Sequence, residues 1–327
     1  MRIDRRKFIT TSLSLLPILG TSGIAAHAQI YPARPVRLIT DSAAGSTVDV
    51  NTRIIADGLT RVWSQQAVVV NRPGASGSIA VHTAATAAPD GYTLAVVSLS
   101  AFIAPPGKAD GLPAEVPQDF APVGYLTGGA MFITAASWLG VKTLPELIAL
   151  AKKQPGKLTY GTNGSGRLTN LTGELMQERA GIRLLTVPYS GGTAKILNDV
   201  MGGRIAIAID AYSGLAGAIK AGTIVPLAVA SSKRLASFPN LPTVAETLPG
   251  FEAAGWQVLL APAGTPDSIV EKANTDLNKA LDDPKVRQRL DQFVREIRPM
   301  SPAETLAFIQ GEQKKWKPIV SRVAEAH

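Results

Sequence analysis

Short apolar runs rich in β-branched residues alternate along the chain with stretches in which apolar residues recur every three or four positions. The runs 36–40 (VRLIT) and 67–72 (AVVVNR) flank a stretch from about Val48 to Trp63 with an apolar helical face. This pattern predicts a strand, an amphipathic helix and a second strand. The scheme repeats over 78–98, where an Ala-rich helix, a Pro-Asp-Gly turn and the strand YTLAVVS are predicted.

A second set of alternating elements follows a long apolar stretch at 120–135. It begins with a helix for which Thr143 is the predicted N-cap, with Pro145 in the first turn. Three units come next, and two of them have helices predicted to start near Leu168 and Thr193. The strand VPLAVAS closes the set, and the tail from 266 onward has helical patterning, with Ser301-Pro302 opening the last helix.

Alternating strands and helices with short turns predict an α/β protein with parallel sheets and helices on both faces. The number of units fits two such sheets joined by two crossing segments, near 124–131 and 231–250. A chain of 327 residues also favours two domains over one.

Residues 1–28 are predicted to be a signal peptide, because they combine a basic start, an apolar middle and small residues at Ala26 and Ala28. Cleavage is expected after Ala28, which places the mature protein in the periplasm without stable membrane insertion. The pair Arg5-Arg6 favours the twin-arginine route, and general secretion remains the alternative.

The charge and cysteine content narrow the classes of function. The chain has a formal charge of +8, and removing four basic residues and one acidic residue with the signal lowers it to +5. The only tight basic cluster is KKWK at 314–317, so nucleic-acid binding is not expected. With no cysteine in the sequence, disulfides, thiolate catalysis and Cys-ligated metals are excluded.

Catalytic motifs are missing from the sequence. The mature chain has only His82 and His327, and no nucleophile elbow, phosphate-binding loop or zinc motif occurs. We therefore expect no enzyme activity, no cofactor and no metal. A hydrolase using Asp49 or Asp210 remains the alternative, although the aromatic content of 6% is low for a sugar cleft.

Three Gly-rich loops carry the functional signal. They lie at 43–47 (AAGST), 161–166 (GTNGSG) and 188–194 (PYSGGTA), and each follows a predicted strand and precedes a predicted helix. Uncovered backbone N–H groups at helix N-termini attract anions, so the loops predict one cleft that binds a carboxylate or phosphate.

Long ordered motifs across the mature chain carry a family resemblance. They include VVVNRPGASGSIA, AAPDGYTLAV, VKTLPELIALAKKQPGKLTYGTNGSG and PNLPTVAETLPGFEAAGWQVLLAPAGTP. By these the chain resembles solute receptors of the tripartite tricarboxylate transporter family, also called Bug receptors. The resemblance implies a type II periplasmic-binding-protein fold, with domain 1 at 29–128 plus 251–327, domain 2 at 129–250, and a ligand cleft between them.

The resemblance also implies a small organic carboxylate as ligand, gripped by the loops at 41–49 and 188–194. The expected partners are the membrane permease subunits of the transporter, and the receptor is expected to be a monomer. A receptor that presents its ligand to a membrane sensor kinase is the alternative. The candidate ligand-binding residues are Asp41, Ser42, Ala44, Gly45, Ser46, Thr47, Asp49, Ser165, Arg167, Tyr189, Ser190, Gly191, Gly192, Thr193 and Asp210.

Several positions depart from the family pattern. Asp41-Ser42 stands where members usually carry Pro-Phe, and Asp41 is expected either to repel a dicarboxylate or to accept from a ligand ammonium or amide. The stretch 46–49 replaces a Gly-Gly-Thr-Asp sequence, and Asn170 stands where His is common. Arg167 adds a charge, either as a ligand contact or as a solvated loop residue.

Overall fold

The computed structural model describes residues 31–74, 77–103, 115–164 and 166–325. The predicted signal peptide and the candidate Ser165 lie outside these residues. The strands are β1 Val36–Thr40, β2 Ala67–Asn71, β3 Thr93–Ser98, β4 Phe120–Ala136, β5 Thr159–Thr162, β6 Leu185–Pro188, β7 Ile207–Ala211, β8 Ile224–Val229 and β9 Ala254–Pro262. The helices are α1 Thr47–Trp63, α2 Ser78–Ala85, α3 Ser100–Ile103, α4 Leu144–Lys153, α5 Leu168–Ala180, α6 Thr193–Met201, α7 Tyr212–Lys220, α8 Asp267–Asp282, α9 Pro284–Asp291 and α10 Pro302–Glu325.

The strands form two groups that share β4. In the first strand group β1 lies between β2 and β3, parallel to both, and β3 pairs antiparallel with β9. In the second strand group β5 lies between β6 and β7, again parallel to both, and β4 pairs antiparallel with β7 and β8. The alternating α/β organisation predicted from the sequence is thus confirmed.

The long strand β4 connects the two groups. Phe120–Ala130 pairs antiparallel with β9, whereas Met131–Ala136 pairs with β7 and β8. The connection from β8 back to β9 stays beside the second group through a bridge between Val229 and Thr243. The predicted parallel pairing is present among β1, β2 and β3 and among β5, β6 and β7. The sheets are mixed, because β4 and β9, which carry the chain between the groups, run antiparallel to their neighbours.

Two helices begin at the positions predicted from their capping residues. Thr143 caps α4 by accepting a hydrogen bond from the Glu146 N–H, and α10 begins at Pro302 after Ser301, whose hydroxyl accepts from Glu304. The core includes the fully buried Trp316 of α10. Among the residues described, no helix is both long and apolar enough to cross a membrane.

Candidate functional site

A cavity of about 410 Å³ opens where the carboxyl ends of strands from both groups meet. It is bordered by residues that follow β1, β3, β5, β6 and β7, and by Met131 of β4 and Gly255 to Gln257 of β9. Ligands in open α/β sheets bind at this edge, and the volume lies in the ordinary range for small-molecule sites.

Four helices present their N-termini to this cavity. Their N-cap residues are Ser46 for α1, Arg167 for α5, Gly192 for α6 and Ala211 for α7, and all four line the cavity. Only Ser46 makes a side-chain cap, accepting from the Asp49 N–H at 3.3 Å. The first N–H groups of a helix have no partner within it and carry partial positive charge, so the arrangement suits an anion.

The structure brings most of the candidate residues to the cavity. Those that line it are Asp41, Ser42, Ser46, Thr47, Arg167, Tyr189, Ser190, Gly192 and Asp210. Five others do not line it: Ala44, Gly45, Asp49, Gly191 and Thr193. Of these five, Thr193 stands immediately behind the cavity wall, because it is buried and donates a hydrogen bond to Asp210.

Asp49 braces the first loop from behind. Its carboxylate accepts from the Gly45 N–H at 2.9 Å, from Asn71 at 2.8 Å and from Arg53 at 3.1 Å. Burial opposes its ionisation, but these donors outweigh the burial and lower the pKa of Asp49. Asp49 is therefore part of the helix-capping arrangement. Of the two carboxylates considered for a hydrolase, only Asp210 lines the cavity.

Asp41 and Arg167 form an ion pair that joins the two strand groups across the cavity. Arg167 Nη1 lies 2.9 Å from Asp41 Oδ2, and Nη2 donates to the Asp41 carbonyl oxygen at 2.7 Å. The Asp41 side chain is fully buried and that of Arg167 is 14% exposed. Ser98 and Ser42 also donate to the Asp41 carboxylate.

This ion pair corrects two expectations. Arg167 is not a solvated loop residue, because its guanidinium is occupied by Asp41 and by Ser100 at 3.3 Å. Asp41 is neither an uncompensated repulsive charge nor an open acceptor, because four donor groups already surround its two carboxylate oxygens and its carbonyl. Asn170 stabilises the same loop by accepting from the Gly166 N–H at 3.1 Å.

Asp210 lies at the end of β7 among donors from both strand groups. Thr193 and Asn163 donate to its Oδ2, and Thr47 of α1 donates to its Oδ1 at 3.2 Å. Burial raises the pKa of Asp210, although these hydrogen bonds and the Ala211 N–H favour the carboxylate. No group of three potential metal ligands occurs within the described ranges.

Sequence reasoning missed several cavity residues. Asn163 lies in the predicted loop at 161–166 but was not selected, and its buried Oδ1 has no hydrogen-bond partner among the described residues. Arg295 follows α9 and carries no local sequence signal, because its approach to the cavity depends on packing against β4. Trp256 and Gln257 entered the sequence analysis only within the motif PNLPTVAETLPGFEAAGWQVLLAPAGTP and were not selected as site residues.

Known proteins resemble this chain over most of its length. The family model for tripartite tricarboxylate transporter family receptors matches residues 51–324. Protein BugT of Bordetella pertussis is 33% identical over 314 residues, which cover 94% of this chain and 96% of BugT. The periplasmic binding protein BugD superposes with a TM-score of 0.84 at 30% identity, covering 90% of this chain and 99% of that one.

Two further similar structures contain ligands. Rpa4515 of R. palustris, solved with adipate, has a TM-score of 0.83 at 30% identity and covers 89% of this chain and 97% of its own. MatC from Rhodopseudomonas palustris, solved with bound malate, has a TM-score of 0.81 at 29% identity, and the match covers 89% of this chain and 100% of MatC. The predicted periplasmic-binding-protein fold class is confirmed, and the chain belongs to the tripartite tricarboxylate transporter receptor family, whose members are solute-binding proteins.

Proposed function

We propose that this protein is a periplasmic receptor that captures a small organic carboxylate in the cavity between its two strand groups. The observation that carries the proposal is the convergence of four helix N-caps on one cavity. The structures of relatives with adipate and malate support the same ligand class. Such N-termini stabilise an anion through backbone N–H groups.

The proposed contacts come from both strand groups. The N–H groups at the start of α1, with Ser46 and Thr47, face one side of the ligand, and Ser190 and Gly192, just before α6, face the other. A ligand held this way makes several charge-assisted hydrogen bonds, each worth roughly 1.5–3 kcal/mol.

A thermal-shift panel tests the ligand class. Mono-, di- and tricarboxylates are compared with their neutral amides, which keep the shape and remove the charge. At about 100 times its dissociation constant a true ligand adds roughly 2.7 kcal/mol to stability. A panel in which no carboxylate stabilises the protein, or in which the amides stabilise it equally, contradicts the proposal. Ligand recovered unchanged after incubation separates a receptor from a hydrolase.

The receptor is proposed to deliver its ligand to membrane permease subunits, since the family is that of a transporter. Deleting the gene is expected to abolish uptake of the ligand that the panel identifies. Normal uptake with a lost transcriptional response would instead favour delivery to a sensor kinase.

Export is proposed on the sequence of residues 1–28. Mass spectrometry of periplasmic protein is expected to give Gln29 as the first residue, and intact Met1 on cytoplasmic protein would contradict export. The double substitution Arg5→Lys and Arg6→Lys is expected to block the twin-arginine route and to leave general secretion working.

Closure of two domains over the ligand is proposed with the boundaries 29–128 plus 251–327 and 129–250. The two connections are expected near 124–131, within the shared strand β4, and near 231–250. Small-angle scattering with and without ligand tests the motion: a smaller radius of gyration with ligand supports it, and an identical profile under saturation contradicts it.

A further inference from the structure

Arg295 is a buried cation without a counterion in contact. Only 6% of the residue is exposed, and it lines the cavity. Within the described part of the chain its side chain makes neither a salt bridge nor a hydrogen bond, and its buried Nε has no partner. Burial lowers the pKa of Arg295 to about 10, which still leaves it protonated at neutral pH. Buried arginine is almost always paired, so this side chain calls for an anionic partner.

The backbone around Arg295 is fixed against β4. Gly128 and Glu296 exchange two backbone hydrogen bonds of 3.0 and 2.8 Å, and Thr127 Oγ1 donates to the Glu296 carbonyl oxygen. Val294 adopts φ 55°, a conformation that β-branched residues rarely take. Such local strain persists only where the surroundings enforce it, and here it precedes the residue that reaches the cavity.

Gly129 provides the space that the guanidinium occupies. A Cβ atom at this position would lie 2.8 Å from Arg295 Nη1 and 3.1 Å from the Val294 carbonyl oxygen. The side chain therefore lies directly against the backbone of β4, in a position that only glycine allows. A cation fixed in advance loses little conformational entropy when it binds an anion.

The charges that line the cavity leave Arg295 as the available cation. Four charged side chains line it among the described residues: Asp41, Arg167, Asp210 and Arg295. Asp41 and Arg167 neutralise each other at 2.9 Å. Asp210 attracts Arg295 through space without a salt bridge, and its carboxylate already accepts from Thr47, Thr193 and Asn163.

We infer that Arg295 forms a second anion subsite and makes this receptor selective for dicarboxylates. The inference rests on the proposed function: one carboxylate binds at the helix N-termini, and the far carboxylate binds the guanidinium beside β4. Arginine suits this role because its planar fork donates two parallel hydrogen bonds to a carboxylate.

Calorimetric titration with paired probes tests the inference. The probes are succinate, glutarate and adipate, each compared with its monomethyl ester, which keeps one carboxylate and loses the charge of the other. Wild type is expected to bind at least one diacid tenfold or more tighter than its monoester. Arg295→Met is expected to weaken that diacid at least tenfold and to change the monoester less than twofold.

Controls separate the subsite from a general effect of charge or folding. Arg289→Met removes a surface arginine that pairs with Asp57, and it is expected to leave both affinities unchanged. Arg295→Lys keeps the charge and is expected to retain part of the preference for the diacid. If Arg295→Met does not fold, the comparison of diacid with monoester in wild type still decides.

Equal affinity of wild type for diacid and monoester overturns the inference and leaves the proposed function intact. An equal loss for both probes in Arg295→Met also overturns it, because the residue would then support the cavity rather than one carboxylate. If no carboxylate of any kind binds wild type, the proposed function fails and the inference fails with it.

Discussion

The ion pair between Asp41 and Arg167 predicts opposite effects of two substitutions on ligand affinity. Arg167→Gln leaves the buried Asp41 carboxylate without its cation, whereas Asp41→Asn leaves the Arg167 guanidinium without its anion. Both variants are expected to be less stable than wild type. Anion affinity is expected to fall in the first and to rise in the second, because each changes the cavity charge in the opposite direction.

The structure ranks the two losses of stability. Removing one partner of a buried ion pair costs about 3–5 kcal/mol, and Ser98 and Ser42 still donate to Asp41, so we expect about 3 kcal/mol for Arg167→Gln. Asp41→Asn is expected to cost about 1–2 kcal/mol, because Arg167 is partly exposed and keeps the Asp41 carbonyl oxygen and Ser100.

The effect on affinity follows from Coulomb's law. One unit charge about 10 Å from a bound carboxylate, at an effective dielectric constant of about 20, changes the binding free energy by about 1.7 kcal/mol. That is roughly a tenfold change in dissociation constant for each variant, in opposite directions. The double variant is expected to return near the wild-type affinity.

Urea unfolding of the ligand-free protein measures the losses of stability, and calorimetry with a carboxylate from the panel measures the changes in ligand affinity. Arg61→Gln, which breaks a surface pair with Asp283, serves as a control and is expected to leave ligand affinity unchanged. A double-mutant cycle on Asp41 and Arg167 should show a coupling of at least about 1 kcal/mol in stability. Affinity changes of the same sign in both single variants, or an absence of coupling, would refute the reasoning.

Three further predictions concern the cavity wall. Gly192→Pro is expected to abolish ligand binding, because φ is 76° at Gly192, whereas proline fixes φ near −65° and removes an N–H. Ser46→Ala removes a helix cap and is expected to lower the free energy of unfolding by only about 1 kcal/mol. Calorimetry is expected to show a much larger loss of ligand affinity in Gly192→Pro than in Ser46→Ala. Burial raises the pKa of Asp210, so the folded state holds this proton more tightly than the unfolded chain. Wild type should therefore lose stability relative to Asp210→Asn as pH rises from about 3.9, and urea unfolding that shows the reverse trend would contradict this. Gly129→Ala is expected to displace Arg295 and weaken diacids as Arg295→Met does, and unchanged calorimetry in a folded variant would argue against that placement.

Local signals account for what the sequence predicted well. The caps at Thr143 and Ser301 each depend on a side chain and a backbone N–H three residues apart, so a short window of sequence contains all the partners. The Gly-rich loops at 43–47 and 188–194 were found for the same reason. Each joins a strand to a helix start, which is enough to predict uncovered N–H groups without knowledge of the sheet.

Strand direction was beyond such signals. The stretch that forms β4 is apolar over 17 residues, and nothing within it states that its two halves pair with different partners. Phe120 pairs with Pro262, 142 positions away, and Phe132 pairs with Asp210, 78 positions away, so the antiparallel centre depends on residues far apart in the chain. Periodicity predicts that such a segment is a strand, but its neighbours depend on long-range packing.

The charges of the cavity show most clearly why single residues mislead. Taken one at a time, Asp41 was expected either to repel a dicarboxylate or to accept from a ligand ammonium or amide, and Arg167 was either a ligand contact or a solvated residue. The two residues are 126 positions apart, and in the fold they form an ion pair. Arg295 was not selected from the sequence. In the fold it is buried with no counterion in contact, so it is the cavity cation that is not already in an ion pair. The electrostatic preference of the site is therefore a property of the four charges together, and the sequence lists those charges without showing which of them meet.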